Sequence, residues 1–314
     1  MRHNVCVRLA IPVVVVVGAV FLLLVGGRLF GRRQQNKQTA NNNSRMTTTS
    51  LRRYSTSDER RTFSAYDRKL SEFIRSRVSE PSLTQRRQLA EPHKTDPSQH
   101  GQSKFVDKLL SGRRNGFFVE CGAADGETFS NSLFFELTRN WTGLLIEANP
   151  YFHRALVDRN RRAYVLRSCL STERRPATVH LLPADDGFVS GIVDKMHSAQ
   201  LSAIGNLKKP QVKVNCLPLN AIMTALNVSH VDYLSLDVEG PEVEILRTVD
   251  WKQLRIDVIT AEYRIYGAYS ESESLKKLKD LRQFFRETGI YKEVALLPFG
   301  SDELRAIDVV FSRI

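Results

Sequence analysis

Residues 117–128, Phe-Phe-Val-Glu-Cys-Gly-Ala-Ala-Asp-Gly-Glu-Thr, restrict the folds open to this chain more than any other stretch. Phe117, Phe118 and Val119 make a short apolar run suited to a buried strand, and Gly122 and Gly126 follow it. Glycines so placed let the backbone turn sharply and approach a ligand closely, because neither carries a Cβ. A helix is expected next: Ser130 or Asn131 can cap it, and Leu133, Phe134 and Leu137 recur at helical spacing. Strand, glycine turn and helix form the opening unit of a nucleotide-binding α/β fold. An ordinary strand–turn–helix corner is the plain alternative.

The loop lacks the third glycine of the G-x-G-x-x-G dinucleotide fingerprint, and it carries Glu120, Asp125 and Glu127. Uncompensated carboxylates repel a pyrophosphate and attract a cation. S-adenosylmethionine has a sulfonium and an ammonium group and no phosphate. The acid-x-Gly-x-x-x-Gly spacing of Glu120, Gly122 and Gly126 is that of the first motif in methyltransferases that bind it. A second acid, Glu147, ends the next apolar run, Gly143–Ile146, at the interval where a strand-two carboxylate accepts hydrogen bonds from both ribose hydroxyls. Asn149-Pro150 caps the following helix, which runs through Ala155 and Leu156 to Arg162. Ala163–Cys169 is expected as strand three, with Ser168 or Cys169 facing the adenine.

Strand four, Val231–Leu236, runs into Asp237-Val238-Glu239-Gly240-Pro241-Glu242. Ligands of open α/β sheets sit beyond the carboxyl ends of the strands, so Asp237 and Glu239 are expected beside Glu120 and Glu147. If the chain stays extended, both side chains lie on one side. One carboxylate can serve as general base on an acceptor hydroxyl, or the pair can hold a divalent cation. Capping of the helix that starts near Glu242 is the structural alternative. Strand five, Ile256–Ala261, ends at a third acid, Glu262. The candidate cofactor-binding residues are therefore Glu120, Gly122, Ala123, Asp125, Gly126, Glu147, Ala148, Asn149, Ser168 and Asp237, with Asp237 and Glu239 as candidate catalytic groups. No metal ligands are assigned, and no zinc spacing is present.

Elsewhere, Val212–Cys216 reads as an added strand and Leu217–Leu226 as a helix. Leu181–Gly205 is broken by Pro183, Asp185-Asp186-Gly187 and Gly191; His180 and His197 within it read as surface or structural histidines. Ser274–Thr288 is an amphipathic helix stopped by Gly289. Tyr291–Leu297 and Ile307–Phe311 form a closing antiparallel pair, for about seven core strands in all.

The N-terminal third differs in composition. Leu9–Gly27 contains no charge and lies between Arg8 and Arg28. As a helix it rises about 28 Å, close to the hydrocarbon thickness of a bilayer, so it reads as a single-pass signal-anchor. A cleaved signal peptide is the competing reading, and both send the chain into the secretory pathway. The Lys/Arg bias alone keeps the C-terminal side cytoplasmic. The sequons at Asn42, Asn140 and Asn227 favour a lumenal domain. Residues 28–102 are polar and basic, the composition of a stalk, with one amphipathic helix near 62–78 that packs on the domain or meets a partner. Residues 1–115 hold 22 Lys+Arg and 8 Asp+Glu, and the remainder 24 and 26. The basic character thus belongs to the tail, and the folded part gives no sign of binding nucleic acid. Cys121, Cys169 and Cys216 fall in or at the ends of predicted strands, where buried thiols are common.

Laid out in this way, the chain resembles the FkbM-type methyltransferase domain. The matching parts are Val119–Gly126, Ile146–Pro150 and Leu236–Gly240, and the likeness covers residues 103–314. It resembles within that family the Star-like membrane proteins of arthropods, through Gly126–Leu133 and Asp232–Gly240 together with an anchor ahead of a stalk. The family resemblance implies a seven-stranded Rossmann-like S-adenosylmethionine-dependent methyltransferase fold, with O-methylation the usual activity. The Star-like resemblance implies a type II membrane protein of the endoplasmic reticulum, Golgi and endosomes that acts in vesicle-mediated transport of cargo such as growth-factor precursors. Glu120 stands where the family more often has Asp, and Cys121 and Ala123 replace the commoner Val and Asn. An anchor, a stalk and Asp237-Val238-Glu239 also resemble the layout of Golgi glycosyltransferases.

Overall fold

The computed structural model describes residues 67–82, 84–183, 190–196, 210–265 and 270–314. The expected anchor, the Asn42 sequon and His197 lie outside the described residues. Among the described residues, no helix is long and apolar enough to cross a membrane.

A central sheet carries the domain. Its strands are β1 (Val78–Ser79), β2 (Phe117–Cys121), β3 (Thr142–Ile146), β4 (Tyr164–Leu166), β9 (His230–Leu236), β10 (Arg255–Glu262), β11 (Tyr291–Leu297) and β12 (Asp308–Arg313). They lie in the order β1-β4-β3-β2-β9-β10-β12-β11. β4, β3, β2, β9 and β10 are parallel, and β12 runs antiparallel between β10 and β11. The sheet has eight strands rather than the expected seven, because Val78 and Ser79 pair antiparallel with the outer edge of β4.

Alternation along each strand divides the apolar residues between two faces. Val119, Cys121, Leu144, Leu234 and Leu236 form one core with helices α1 (Arg68–Arg75), α5 (Leu219–Ala225), α6 (Glu242–Thr248) and α7 (Glu271–Thr288). Phe118, Leu145, Val165, Tyr233 and Val310 form the other with α2 (Gln102–Leu109), α3 (Leu133–Thr138) and α4 (Pro150–Asp158). Such two-sided cover is what a parallel sheet requires.

Several boundaries differ from expectation. α3 is capped at Ser132, with no side-chain cap bond, rather than at Ser130 or Asn131. Glu120 takes up the Asn131 amide, and Ser130 Oγ accepts from the Leu133 amide, so the turn tightens before the helix begins. α4 stops at Asp158, short of Arg162, because Asn160 turns left-handed at φ +52°. α7 starts earlier than Ser274, with Glu271 and Glu273 in its positive first turn, and ends at Gly289 as expected. Residues 67–82 and 84–102, read from composition as stalk, lie against the domain: Leu70 and Ile74 of α1 are buried in the core, and Gln88 N donates to Arg159 O.

The expected third strand is two. β4 ends at Leu166, and β5 (Cys169–Leu170) leaves for a second sheet, ordered β5-β8-β6-β7, with β6 (Ala177–Leu182), β7 (Gly191–Ile192) and β8 (Val212–Leu217). A disulfide between Cys169 and Cys216 joins β5 to β8, so these are not the free buried thiols expected; Cys121 is free and buried. The bridge closes a separation of 47 residues. By loop-closure entropy it stabilises the fold by about 4 kcal/mol. Reduction, or a Cys169→Ser/Cys216→Ser double variant, is expected to lower the unfolding free energy from urea titration by a corresponding amount at unchanged secondary structure. A shift below about 1 kcal/mol would contradict this.

Candidate active site

Register brings the carboxyl ends of four parallel strands level. Cys121 pairs with Ile146 on one side and Leu236 on the other, and Leu236 pairs with Ala261. The next residues, Gly122, Glu147, Asp237 and Glu262, therefore emerge at one rim. Strand order reverses between β2 and β9, which is where open α/β sheets form their crevice. At this point Gly122, at φ +80°, is so close to the β9 loop that a Cβ would stand 1.9 Å from Asp237 O. The rim is open to solvent: Gly122 is exposed, and Ala124, Ala148, Asp237 and Val238 are half-buried.

The glycine loop is shaped by its own acids. Glu120 is buried and accepts from Ser130 Oγ at 2.9 Å, Asn131 N at 2.6 Å and Ser132 Oγ. Burial raises its pKa against the pull of Arg161 and these donors. Asp125 accepts from the Glu127 and Thr128 amides and pairs with Arg159 at 2.9 Å. Burial works to raise its pKa, but those partners hold it below the usual range. Glu127 accepts from the Ala90 and Glu91 amides, both at 2.7 Å, and pairs with Arg159 at 3.1 Å. Ala123 is buried, its amide on Ile146 O and its carbonyl taking the Gly126 amide. Gly126, at φ +78°, packs where a Cβ would meet Leu156 at 2.3 Å. Arg161, with no side-chain exposure, pairs with Glu136 at 2.7 Å and donates to Gly126 O, Ser130 Oγ and Ser132 Oγ.

Of the residues after β3, Glu147 stands at the rim as expected. It accepts from Ala124 N and Asn149 N, both at 2.7 Å, which ties the β2 and β3 loops together. Burial, opposed by these amides, pushes its pKa up to about 7. Asn149 is fully buried; Oδ1 caps α4 through Tyr151 N, and Nδ2 donates to Ser190 Oγ. Ser168 is also buried, but its hydroxyl is directed to Cys169 O and Asn215 O, and Cys169 is in the disulfide. Their part in the site is to hold the second sheet against β3, since Ser168 N donates to Glu147 O.

After β9 the chain does not stay extended. Glu239 is left-handed at φ +59°, yet Asp237, Glu239 and Glu262 still each bring a carboxylate oxygen within 4.8 Å of the others. Burial pushes Asp237 up to about 6, against a side-chain hydrogen bond with Glu262, and burial with the charges of Asp237 and Glu239 pushes Glu262 well above the usual carboxylate range. Asp308 joins from β12, whose antiparallel register sets it opposite Glu262; burial and Asp237 push it to about 7, against a hydrogen bond from Gln102 Nε2 at 2.8 Å. Glu242, at the head of α6, pairs with buried Lys277 at 2.6 Å and accepts the Val238 and Gly240 amides, and its charge adds to the rise at Asp237 and Asp308. α6 has Pro241 at its N-cap with no side-chain cap bond, so neither Asp237 nor Glu239 caps it, and Glu242 and Glu244 are the acids of its first turn.

Local sequence reading missed Arg159 and Arg161 as organisers of the glycine loop, and Asp308 and Gln102 at the rim. The run Arg159-Asn160-Arg161-Arg162 directly after a helix was the available signal for the first pair. Asp308 required the strand order, which no local pattern encodes. Of the expected histidines, His180 is exposed on β6, away from the rim. Two surface cavities, of about 530 Å³ beside Arg86 and Asn160 and about 180 Å³ beside Asn220 and Gln253, share no lining residue with the rim.

The raised carboxyls set a pH dependence. Glu147, Asp237 and Asp308 hold protons in the folded state up to about 6–7 but lose them near 4–4.5 when unfolded. The folded state then binds more protons at these three groups across that window, which makes stability fall as pH rises from about 4.5 to 7; His153, lowered to about 4 by burial, works the other way and is outnumbered. Thermal midpoints taken every half pH unit should trace this decline. A rise across the window would contradict the assignment.

Residues 120–290 match the profile of the methyltransferase FkbM domain. No curated protein matches the chain. Solved structures with a similar course include the METTL16 MTase domain, at 12% identity and TM-score 0.35, covering 67% of this chain and 65% of that one. The chain thus spans just under two thirds of that domain. Aeropyrum pernix fibrillarin in complex with natively bound S-adenosyl-L-methionine is similar at 16% identity and TM-score 0.32, covering 67% and 74%. Precorrin-6y C5,15-methyltransferase from Geobacter metallireducens is similar at 14% and 0.33, covering 68% and 87%.

Proposed function

The chain belongs to the methyltransferase FkbM domain family, and from that premise we propose that its acidic rim binds S-adenosylmethionine and serves O-methyl transfer to an acceptor hydroxyl. The observation that carries this reading is the emergence of Gly122, Glu147 and Asp237 from the level ends of β2, β3 and β9 at the strand-order reversal. The donor set fits a cationic adenosyl compound: carboxylates line the rim, and Lys277, Arg159 and Arg161 there are paired with acids. Exposed Gly122 lets the chain approach the ligand closely, Glu147 accepts from ribose hydroxyls, and Ala148 lies beside the base. When bound, the compound supplies an electrophilic methyl group. Asp237, with a pKa near 6, is ionised at neutral pH and suited to take the acceptor's proton.

The cell setting belongs to the same proposal. The 9–27 run anchors the chain in the membrane and the domain faces the lumen of the secretory pathway. The Cys169–Cys216 bridge supports an oxidising compartment, where disulfides persist. Exposed Asn140 and Asn227 are compatible with glycosylation there.

A second reading keeps the fold without turnover: a Star-like protein that binds cargo, such as growth-factor precursors, in vesicle-mediated transport. What favours it is the commitment of Glu120, Asp125 and Glu127 to internal partners and of both Glu147 oxygens to backbone amides. Titration of the full chain in mild detergent with S-adenosylmethionine separates the two. Micromolar binding, weakened about tenfold or more in Glu147→Gln, supports the cofactor reading. No heat and no thermal shift would sink it and leave the scaffold. The glycosyltransferase layout has no support from the family match.

A further inference from the structure

We propose that Asp237, Glu239 and Glu262 form a binding site for a single oxygen-preferring divalent cation of the Mg²⁺ or Mn²⁺ class. The three side chains come from two adjacent strand ends, and one oxygen of each lies within 4.8 Å of the other two, the spread a shared ion requires. Hard cations take carboxylate oxygens by preference, and Mg²⁺ is held by one or two carboxylates with water completing its shell.

Proximity of acids alone does not make a site, and a second observation points to a ligand. Glu262 is 4% exposed, and its Oε2 is buried without a hydrogen-bond partner. A buried carboxylate oxygen left in this state is costly, and native structures rarely keep one without an ion or water to meet it. Among the described residues, the positive charge beside it, that of Lys277, is shared with Glu242 and Glu239. Lys277, the cation beside the cluster, is bonded to Glu242 at 2.6 Å, and Asp308, facing Glu262 across the β10–β12 pair, adds another acid.

The other cluster of possible ligands, His230, Asp232 and Asp257 at the opposite strand ends, differs in this respect. Arg113 donates to Asp232 and reaches Asp257 at 2.7 Å, and Arg255 pairs with Asp257 at 2.8 Å. Its negative charge is already met by side chains.

The test uses the full chain, stripped with EDTA and kept free of S-adenosylmethionine, at pH 7.5. MnCl₂ and MgCl₂ are titrated by calorimetry and thermal shift, and bound Mn²⁺ is counted by electron paramagnetic resonance. The expected result is about one Mn²⁺ per chain and a higher thermal midpoint for either metal. Glu262→Gln, isosteric and relieved of one charge, is expected to melt higher than wild type without metal and to bind Mn²⁺ at least about tenfold more weakly. An exposed-acid control, Glu173→Gln, should behave as wild type. No metal response in wild type up to about 10 mM, or an undiminished response in Glu262→Gln, would overturn the proposal. Because these measurements omit the methyl donor, their failure leaves the cofactor reading untouched, and failure of donor binding leaves the cation site standing.

Discussion

An Arg161→Ala protein is expected to lose about 3–5 kcal/mol of stability, the range for breaking a buried ion pair by removing one partner. Arg161 and Glu136 have no side-chain exposure and meet at 2.7 Å. The same guanidinium also holds Gly126 O and the hydroxyls of Ser130 and Ser132. Its removal leaves buried Glu136 with Arg87 and the Arg162 amide as its remaining partners and frees the loop that carries Gly122. In a domain of this size the thermal midpoint should fall on the order of 10 °C. The double variant Arg161→Met/Glu136→Leu should recover only part of that loss, since it also takes the carboxylate from Arg87 and from the Arg162 amide. A single-variant loss below about 1 kcal/mol by urea unfolding would refute the role given to Arg161.

Gly122→Ala is expected to abolish cofactor binding at the rim, lowering affinity by roughly 100-fold or more, about 2.8 kcal/mol. Two costs combine. The backbone is left-handed at φ +80°, and the added methyl would stand 1.9 Å from Asp237 O, a backbone atom that cannot rotate away. The β2 and β9 loops must therefore part, which displaces Asp237 from Glu147. Gly289→Ala isolates the first cost: φ is +67° but nothing lies within 4 Å of the added Cβ, so only about 1 kcal/mol of backbone strain is expected. If both variants bound S-adenosylmethionine as wild type does, the close approach at Gly122 would have no bearing on the ligand.

What could be read from the chain alone was whatever local pattern encodes. The β2 glycine loop, Glu147 after β3, Asn149-Pro150 at α4 and Asp237 after β9 each follow an apolar run directly, and parallel register does the rest. Features that depend on non-local pairing were not legible. Asp308 reaches Glu262 only because β12 inserts antiparallel beside β10. Cys169 meets Cys216 only because a second sheet branches off after Leu166. Glu120 was read as a ligand contact, yet strand alternation turns its side chain to the α3 face, where it fixes the loop instead. The extended chain assumed at Glu239 failed because left-handed backbone at a non-glycine is invisible to periodicity.

Glu127 joins the amides of Ala90 and Glu91 to the glycine loop, and Arg87 reaches Glu136 from the same segment. Cutting the protein at residue 103, where its family likeness starts, or at residue 120, where the profile match starts, would strip away a brace that the methyl-donor loop leans on. Leu70 and Ile74 would be lost with it, uncovering α5. An independently folding piece therefore has to include α1 and its cap at Asp67, and a recombinant piece lacking them that failed to bind ligand would report on its truncation.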